Sequence, residues 1–309
     1  MDLETFQSLP TGEVARLMRE AGPKVCVFPI NGTRRWFMLE HGLKLKPEED
    51  FVSAYLDRLV KRHIELYKLL FDHGIDTLLT PVLGPDILER EKHEELIERG
   101  LTAWFGQNSD FLDFYGSYDV RVHVYGDARR YLQNTPYAHV LDAFDEIAQH
   151  TATHRRHRLF FGVCAHDPVE TIAEIAVHFY QEHGCLPNKR QIVEAYYGEY
   201  VEPIGLFIGF SKLRAFDMPL VTTGTEDLYF TVSPSPYLTE CQLRDILYDH
   251  LYTRRGEPDY STMSANDWTR IKDFYRANLE NTLGVGTKHR RVWYPLPQVK
   301  PLADFAKSF

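Results

Sequence analysis

The sequence of 309 residues predicts an α/β protein with a mostly parallel central sheet and helices on both faces. Two observations support this fold class. Short apolar runs, which are typical of strands, alternate along the chain with longer segments of helical periodicity. One run, residues 205–210, contains no polar side chain, as expected of a strand covered on both faces. We expect one domain spanning residues 1–309, because no repeat, long linker or low-complexity segment interrupts the alternation.

Six apolar or alternating runs predict the strands of this sheet. They are residues 25–30, 77–83, 120–125, 159–164, 205–210 and 228–232. Open sheets of this kind bind ligands at the carboxyl ends of their strands. We therefore expect the turns at Asn31-Gly32, Gly126-Asp127 and His166-Asp167 to lie along one rim.

Helices are predicted between these strands and after the last one. They are residues 11–20, about 47–73, 86–115, 137–149, 168–183, 188–200, 239–253 and 264–278, and residues 294–297 are expected to form an extended arm. In the second of these helices, Pro47 suits the first helical position and three acidic residues follow it. Gly74 suits its end. Asp167 is expected to cap the helix that opens at Pro168.

The turn after the first strand is the strongest candidate for a binding site. Asn31-Gly32 is a turn-prone pair, and the adjacent Arg34 and Arg35 follow at once. Backbone N–H groups of Gly32 and Thr33 together with two guanidinium groups would form a cradle for a phosphate or diphosphate. The alternative interpretation is a hairpin turn with two solvated arginines.

Composition excludes several classes of function. The chain has 35 basic and 44 acidic residues, so its net charge is −9 and an extended nucleic-acid-binding surface is not expected. No apolar run approaches the length of a membrane span, and the acidic start does not resemble a secretory signal. The four cysteines are widely spaced without a CxxC pair, which indicates reduced thiols and a cytoplasmic location.

A second cluster has the spacing of metal ligands. His150, His154 and His157 would fall close together on a helix, but three arginines lie among them and would repel a cation. A solvated basic segment is therefore the favoured interpretation.

Several motifs resemble those of the cis-prenyltransferases. Residues 31–36, Asn-Gly-Thr-Arg-Arg-Trp, resemble the Asp-Gly-Asn-x-Arg-Trp opening of that family, and residues 122–127 and 227–230 resemble its later motifs. A divergent branch, the diterpene synthases of the tuberculosinol and kolavelool type, is more similar still. The most specific shared segments are residues 22–25, 32–36, 196–201, 207–210, 228–232 and 246–250. The resemblance implies the (Z)-prenyltransferase fold of undecaprenyl diphosphate synthase.

The resemblance also implies a reaction. Enzymes of this branch take a bicyclic C20 diphosphate, of the kolavenyl or halimadienyl type, that a separate class II diterpene cyclase supplies. They remove diphosphate and deliver the allylic cation to water, giving a diterpene alcohol, or to a nucleoside such as adenosine. Chain elongation is disfavoured, because residues 210–217 keep little of the Arg-x-x-x-Arg-x-Ser-Asn-Phe stretch of elongating relatives. The resemblance further implies a homodimer.

One departure concerns the metal. The family has an aspartate, linked to Mg²⁺ and diphosphate, where this chain has Asn31, and an amide oxygen is a weaker ligand for a hard dication. Asp227 is a candidate substitute, since elongating relatives place a metal-binding glutamate there. Asn31 is also compatible with a non-catalytic subunit or with an inactivating change. Tyr55, at a position where the resembling enzymes have tyrosine, would steady the cation or orient water, or serve only in packing.

Overall fold

The structure is a computed structural model that describes residues 1–22, 24–88, 94–106, 110–256, 259–290 and 292–296. Within these ranges, six parallel strands form one sheet in the order β3-β4-β2-β1-β5-β6. The strands are β1 Val25–Val27, β2 Thr77–Leu83, β3 Val120–Tyr125, β4 His157–Val163, β5 Leu206–Phe210 and β6 Asp227–Thr231, and an antiparallel pair follows, β7 Gly286–His289 and β8 Val292–Pro295.

Thirteen α-helices lie in the described part of the chain. They are α1 Leu3–Ser8, α2 Thr11–Glu20, α3 Thr33–Glu40, α4 Phe51–Asp72, α5 Pro85–Leu88, α6 Glu94–Phe105, α7 Asp110–Tyr118, α8 Ala128–Leu132, α9 Val140–His150, α10 Val169–His183, α11 Lys189–Tyr197, α12 Glu240–Tyr248 and α13 Ala265–Ala277. None of the described helices is long and apolar enough to cross a membrane.

Both faces of the sheet are covered, which confirms the predicted fold class. Val25 and Val27 of β1 belong to a buried cluster with Tyr197 of α11. Cys26, between them, belongs to a separate buried cluster with Leu70 of α4. Successive side chains of a strand point to opposite faces, so β1 contributes to two cores and carries no polar side chain.

The longest helix begins later than its sequence pattern predicts. The predicted start at Pro47 is wrong: α4 begins at Phe51, because the Asp50 side chain accepts a 2.8 Å hydrogen bond from the backbone N–H of Ser53. Gly74 follows the helix with φ +88°, in the left-handed conformation expected of a glycine stop.

Two other predicted segments differ in extent. The single helix predicted for residues 86–115 is wrong, since α5, α6 and α7 replace it; residues 89–93 and 107–109 lie outside the described residues. The arm predicted for residues 294–297 is partly taken up by β8, and residue 297 lies outside the described residues. Pro168, rather than Asp167, occupies the N-cap position of α10, although the Asp167 side chain accepts a 3.4 Å hydrogen bond from the backbone N–H of Val169.

Candidate functional site

The candidate anion-binding turn lies at the carboxyl end of β1, beside β2 and β5. Gly32 has φ +77° and is the N-cap residue of α3, so both arginines belong to the first turn of a helix that the sequence analysis did not predict. The first intrahelical bond is donated by Trp36 to the Gly32 carbonyl at 2.9 Å. The N–H groups of Thr33, Arg34 and Arg35 precede that bond, and no side chain caps them. They point from a positive helix end, which is an arrangement suited to an anion.

Gly32 is required at this turn for two reasons. Its positive φ is a conformation that side-chain-bearing residues rarely adopt. A Cβ at this position would also lie 2.8 Å from Phe210 Cε1 and 2.9 Å from Pro234 Cβ. Phe210 ends β5 and Pro234 follows β6, so the turn is packed against the carboxyl end of β5 and the segment after β6.

Ser235 attaches the turn to the loop after β6. Its hydroxyl accepts a 3.1 Å bond from the Asn31 N–H and donates to the Pro29 carbonyl at 3.3 Å, while its own N–H donates to the Asn31 carbonyl at 3.0 Å. Ser235 is buried. Arg62 of α4 fixes the same loop by donating to the Pro236 carbonyl at 2.7 Å. The Asn31 backbone is thereby positioned, while its side chain stays exposed.

The two arginines differ in their surroundings. Both are exposed, and the Arg35 guanidinium lies 5.5 Å from the centre of the Phe210 ring. This cation–π contact holds the Arg35 guanidinium against Phe210 without neutralising its charge. Arg34 acts electrostatically on Tyr55, whose pKa it lowers as a minor contribution. The turn therefore presents positive charge that is available to a ligand.

Tyr55 of α4 lies directly beside the turn. Its hydroxyl is 2.8 Å from Thr33 Oγ1, and its ring packs edge-on against Phe37, with 5.3 Å between ring centres. Burial raises the pKa of Tyr55, and the hydroxyl of Thr33 and the charge of Arg34 offset this only in part. The phenol thus stays neutral at physiological pH, and it contributes a hydroxyl and an aromatic face.

A cavity of about 200 Å³ opens beside this group of residues. Its polar end is formed by Asn31, Gly32, Thr33 and Tyr55, and the rest of its wall comes mainly from apolar residues of α4, β2 and α6. The remaining lining residues are Ile30, Leu56, Leu59, His63, Pro81, Val82, Leu83, Ile87, Ile97, Gly100, Leu101 and Trp104. This arrangement of a polar end and an apolar wall suits a hydrocarbon whose charged head group stays at the turn.

The structure does not bring Asp227 to Asn31 within this chain, and the expectation of one shared metal site needs that correction. Asp227 is the first residue of β6, while Asn31 follows the end of β1. Because the strands are parallel, Asp227 lies at the amino ends of the strands and Asn31 beyond their carboxyl ends. Asp227 is instead bonded to His250, with 2.6 Å between Oδ2 and Nδ1. The arginines Arg254 and Arg255 lie 3.7 Å from its oxygens.

The other sequence candidates lie away from the cavity. His150 ends α9 and His157 begins β4, where it stacks on Phe71 with 4.3 Å between ring centres, so the three histidines do not share a helix face. Asp127 is buried and accepts a hydrogen bond from Thr171. Its turn does share the sheet edge of Asn31, as the parallel strands require.

Four residues of the site have no clear signal in the sequence. Phe210, at the end of β5, and Ser235, after β6, lie about 200 residues away along the chain, and only the order of the sheet strands brings them to the turn. His63 and Trp104 resemble ordinary core residues of amphipathic helices. His63 follows Tyr55 by eight residues, a spacing that places both side chains on the same face of α4. This spacing is the one sequence pattern that connects His63 with the site.

Comparison with known proteins identifies two relatives. Over 292 residues the chain is 40% identical to tuberculosinyl adenosine transferase of Mycobacterium tuberculosis (strain CDC 1551 / Oshkosh), a match that covers 94% of this chain and 96% of the relative. Over 287 residues it is 26% identical to (+)-kolavelool synthase of Herpetosiphon aurantiacus, covering 90% and 91%. No family model matches the chain.

Two solved structures are similar in fold. Lavandulyl diphosphate synthase from Lavandula x intermedia, solved with dimethylallyl diphosphate, has a TM-score of 0.59 at 18% identity, covering 77% of this chain and 98% of that one. A probable undecaprenyl diphosphate synthase from Campylobacter jejuni has a TM-score of 0.53 at 14% identity, covering 76% and 98%. They confirm the (Z)-prenyltransferase fold that the sequence motifs predict.

Proposed function

We propose that this chain, which belongs to the same family as tuberculosinyl adenosine transferase, is a prenyl diphosphate enzyme. It removes diphosphate from a bicyclic C20 prenyl diphosphate, and water captures the resulting cation. The observation that carries the proposal is the meeting of an uncapped helix start, two exposed guanidinium groups and an apolar cavity at one turn. The product would be a diterpene alcohol.

The turn suits the bond that must break. Heterolysis of the allylic C–O bond sends the electron pair to the diphosphate and leaves an allylic cation on the hydrocarbon. Fixed donors directed at the departing oxygens stabilise the charge that develops there, and loss of one such donor typically costs about 10²–10³ in rate. The N–H groups of Thr33 and Arg34 and the guanidinium groups of Arg34 and Arg35 supply these donors.

The cavity wall suits the cation that remains. Apolar side chains exclude bulk water from most of the hydrocarbon. The face of the Tyr55 ring can stabilise positive charge, and its neutral hydroxyl, held by Thr33, can orient a water molecule at the allylic carbon. The captured water then loses a proton, so the overall products are alcohol, diphosphate and one proton.

Mg²⁺ fits this site as a metal carried mainly by the substrate. Among the described residues, no group of three or more His, Cys, Asp or Glu side chains is arranged to hold a metal ion. Asn31 would supply one exposed amide oxygen beside the phosphate oxygens, and Mg²⁺ is commonly bound by few protein ligands together with phosphates and water. The ion would add positive charge next to the leaving group.

Transfer to a nucleoside is the second candidate, and the relatives support it equally. One relative is named as a transferase to adenosine and the other as a synthase of kolavelool. The two candidate reactions share the ionisation step and differ only in the nucleophile. We further propose a cytoplasmic homodimer that receives its substrate from a class II diterpene cyclase.

The test is incubation of the protein and Mg²⁺ with kolavenyl, halimadienyl or geranylgeranyl diphosphate, each with and without adenosine. Diphosphate release is measured and the products are identified by mass spectrometry. We expect release from a bicyclic substrate, with an alcohol as product in the absence of adenosine. An adenosine adduct would favour the transferase, and no release from any of the three would contradict both candidate reactions.

Variants locate the activity at the turn. Arg34→Gln and Arg35→Gln should each lower the rate about 10²–10³-fold. Arg58→Gln, which removes an exposed arginine of α4 that does not line the cavity, is the matched control and should leave the rate unchanged. Asn31→Asp separates an enzyme from a non-catalytic subunit, because activity that appears only in this variant would indicate an inactive parent.

A further inference from the structure

A glycine occupies the interior of α6, where the helix itself would favour a larger residue. Gly100 is buried and lies well inside the helix, which extends from Glu94 to Phe105. Glycine is a poorer helix former than alanine, because it loses more conformational freedom on folding. The φ of Gly100 is not positive, so its backbone conformation is open to any residue. The reason for glycine must therefore lie in what surrounds it.

The surroundings of Gly100 are side chains of the cavity wall. A Cβ placed there would lie 3.2 Å from Trp104 Cζ3, 3.8 Å from Leu56 Cδ2 and 3.9 Å from Trp104 Cε3. Gly100, Leu56 and Trp104 all line the cavity. These three nearest atoms belong to side chains, so the glycine does not serve the close approach of another backbone segment. The absent side chain leaves space in the cavity wall between α4 and α6.

This space lies beside the hydrocarbon rather than beside the head group. Leu56 directly follows Tyr55, which belongs to the polar end of the cavity. The Trp104 ring meets the ring of His63 with 5.5 Å between centres, and His63 lies about 12 Å beyond Tyr55 along the axis of α4. Because Gly100 is next to both Leu56 and Trp104, it lies between the polar end and this deeper level.

We infer that Gly100 determines specificity for a fused ring system, because its missing side chain gives the cavity the width that such a hydrocarbon needs. A bicyclic hydrocarbon is wider than an acyclic one of the same composition. A methyl group at residue 100 would occupy the space and press on the Trp104 ring, so the wide hydrocarbon should lose more than the narrow one. The inference rests on the proposed function and specifies its substrate class.

The experiment compares kcat/KM for diphosphate release from two isomers in the presence of Mg²⁺. One is acyclic geranylgeranyl diphosphate, and the other is whichever of kolavenyl and halimadienyl diphosphate reacts faster. We expect the unmodified protein to prefer the bicyclic isomer. Gly100→Ala should reduce that preference at least about tenfold, because one methyl group in an apolar pocket typically changes discrimination by about 10- to 200-fold.

Two further variants separate a role in specificity from a role in packing. Gly116→Ala is the matched control, since Gly116 lies in α7, does not line the cavity and has nothing within 4 Å of the position of a Cβ. It should leave the preference unchanged. Adding Trp104→Phe to Gly100→Ala replaces the indole that the new methyl group meets by a smaller ring, and it should restore part of the preference. A role only in packing would lower Tm and slow both isomers equally.

The outcomes separate this inference from the proposed function. Equal use of the two isomers by the unmodified protein overturns the inference alone, and so does an unchanged preference or an equal loss for both isomers in Gly100→Ala. If that variant does not fold, as judged by thermal unfolding, Leu56→Phe decides in the same way, because it narrows the same space from α4. Failure to release diphosphate from any of the three compounds overturns the proposed function, and the inference with it.

Discussion

Replacing Gly32 by alanine tests the geometry of the turn most directly. The new Cβ would be placed at φ +77°, 2.8 Å from Phe210 Cε1 and 2.9 Å from Pro234 Cβ. Alanine in the left-handed conformation costs about 1–2 kcal/mol. Forcing an extra carbon into a packed contact costs about 1–3 kcal/mol more. The free energy of unfolding should therefore fall by about 2–5 kcal/mol, which lowers Tm by about 3–8 °C in a chain of this length.

A second glycine separates the two contributions. Gly224 also has a positive φ, +84°, but nothing lies within 4 Å of the position that a Cβ would take there. Gly224→Ala should therefore cost only the conformational part, about 1–2 kcal/mol. Calorimetry on both variants measures the difference, which is the steric part and should be about 1–3 kcal/mol.

The same substitution should impair activity more than stability explains. Relief of the clash requires Phe210 to move, and the Arg35 guanidinium lies over that ring. A displacement of about 1 Å at a catalytic group can cost about 10²-fold in rate. Diphosphate release should fall about 10²-fold in Gly32→Ala at a temperature where the variant is fully folded. If Gly32→Ala matches Gly224→Ala in both Tm and rate, the described packing of the turn is wrong.

Three further predictions concern the residues around the turn. Tyr55→Phe and Thr33→Val should show a coupling of about 0.5–1.5 kcal/mol in a double-mutant cycle of unfolding free energies, and additive losses would contradict the 2.8 Å bond. Asn31→Asp should lower the Mg²⁺ concentration that gives half-maximal diphosphate release, because a carboxylate is a stronger ligand than an amide; an unchanged requirement would remove Asn31 from the metal site. Burial lowers the pKa of His63 to about 4, so the unfolded chain, with a pKa of about 6.5, binds more protons between these values. Stability should fall by up to about 3 kcal/mol as the pH drops from 6.5 to 4, and urea titrations of His63→Leu should show a smaller fall.

The sequence predicts the fold and the main site to different extents. The positions of five strands were predicted within about two residues, because apolar runs and their flanking turns are local signals. The first residues of helices are harder to predict. Pro47 and Asp50 both suit a helix start, and only the hydrogen bond from the Ser53 N–H to the Asp50 side chain decides between them. The helix at the arginines was missed, since Gly32 indicates a turn equally well whether a strand or a helix follows.

The sequence by itself determined the alternation of elements, the family resemblance and the cationic turn at residues 31–36, because each depends on residues that are close together in the chain. Tertiary structure alone decided what surrounds that turn. The strand order places β5 and β6 next to β1, so Phe210 and Ser235 reach Asn31 and Gly32 from about 200 residues away. The parallel arrangement also places Asp227, at the start of β6, far from the turn, because the amino ends of all six strands lie on the side of the sheet opposite to their carboxyl ends.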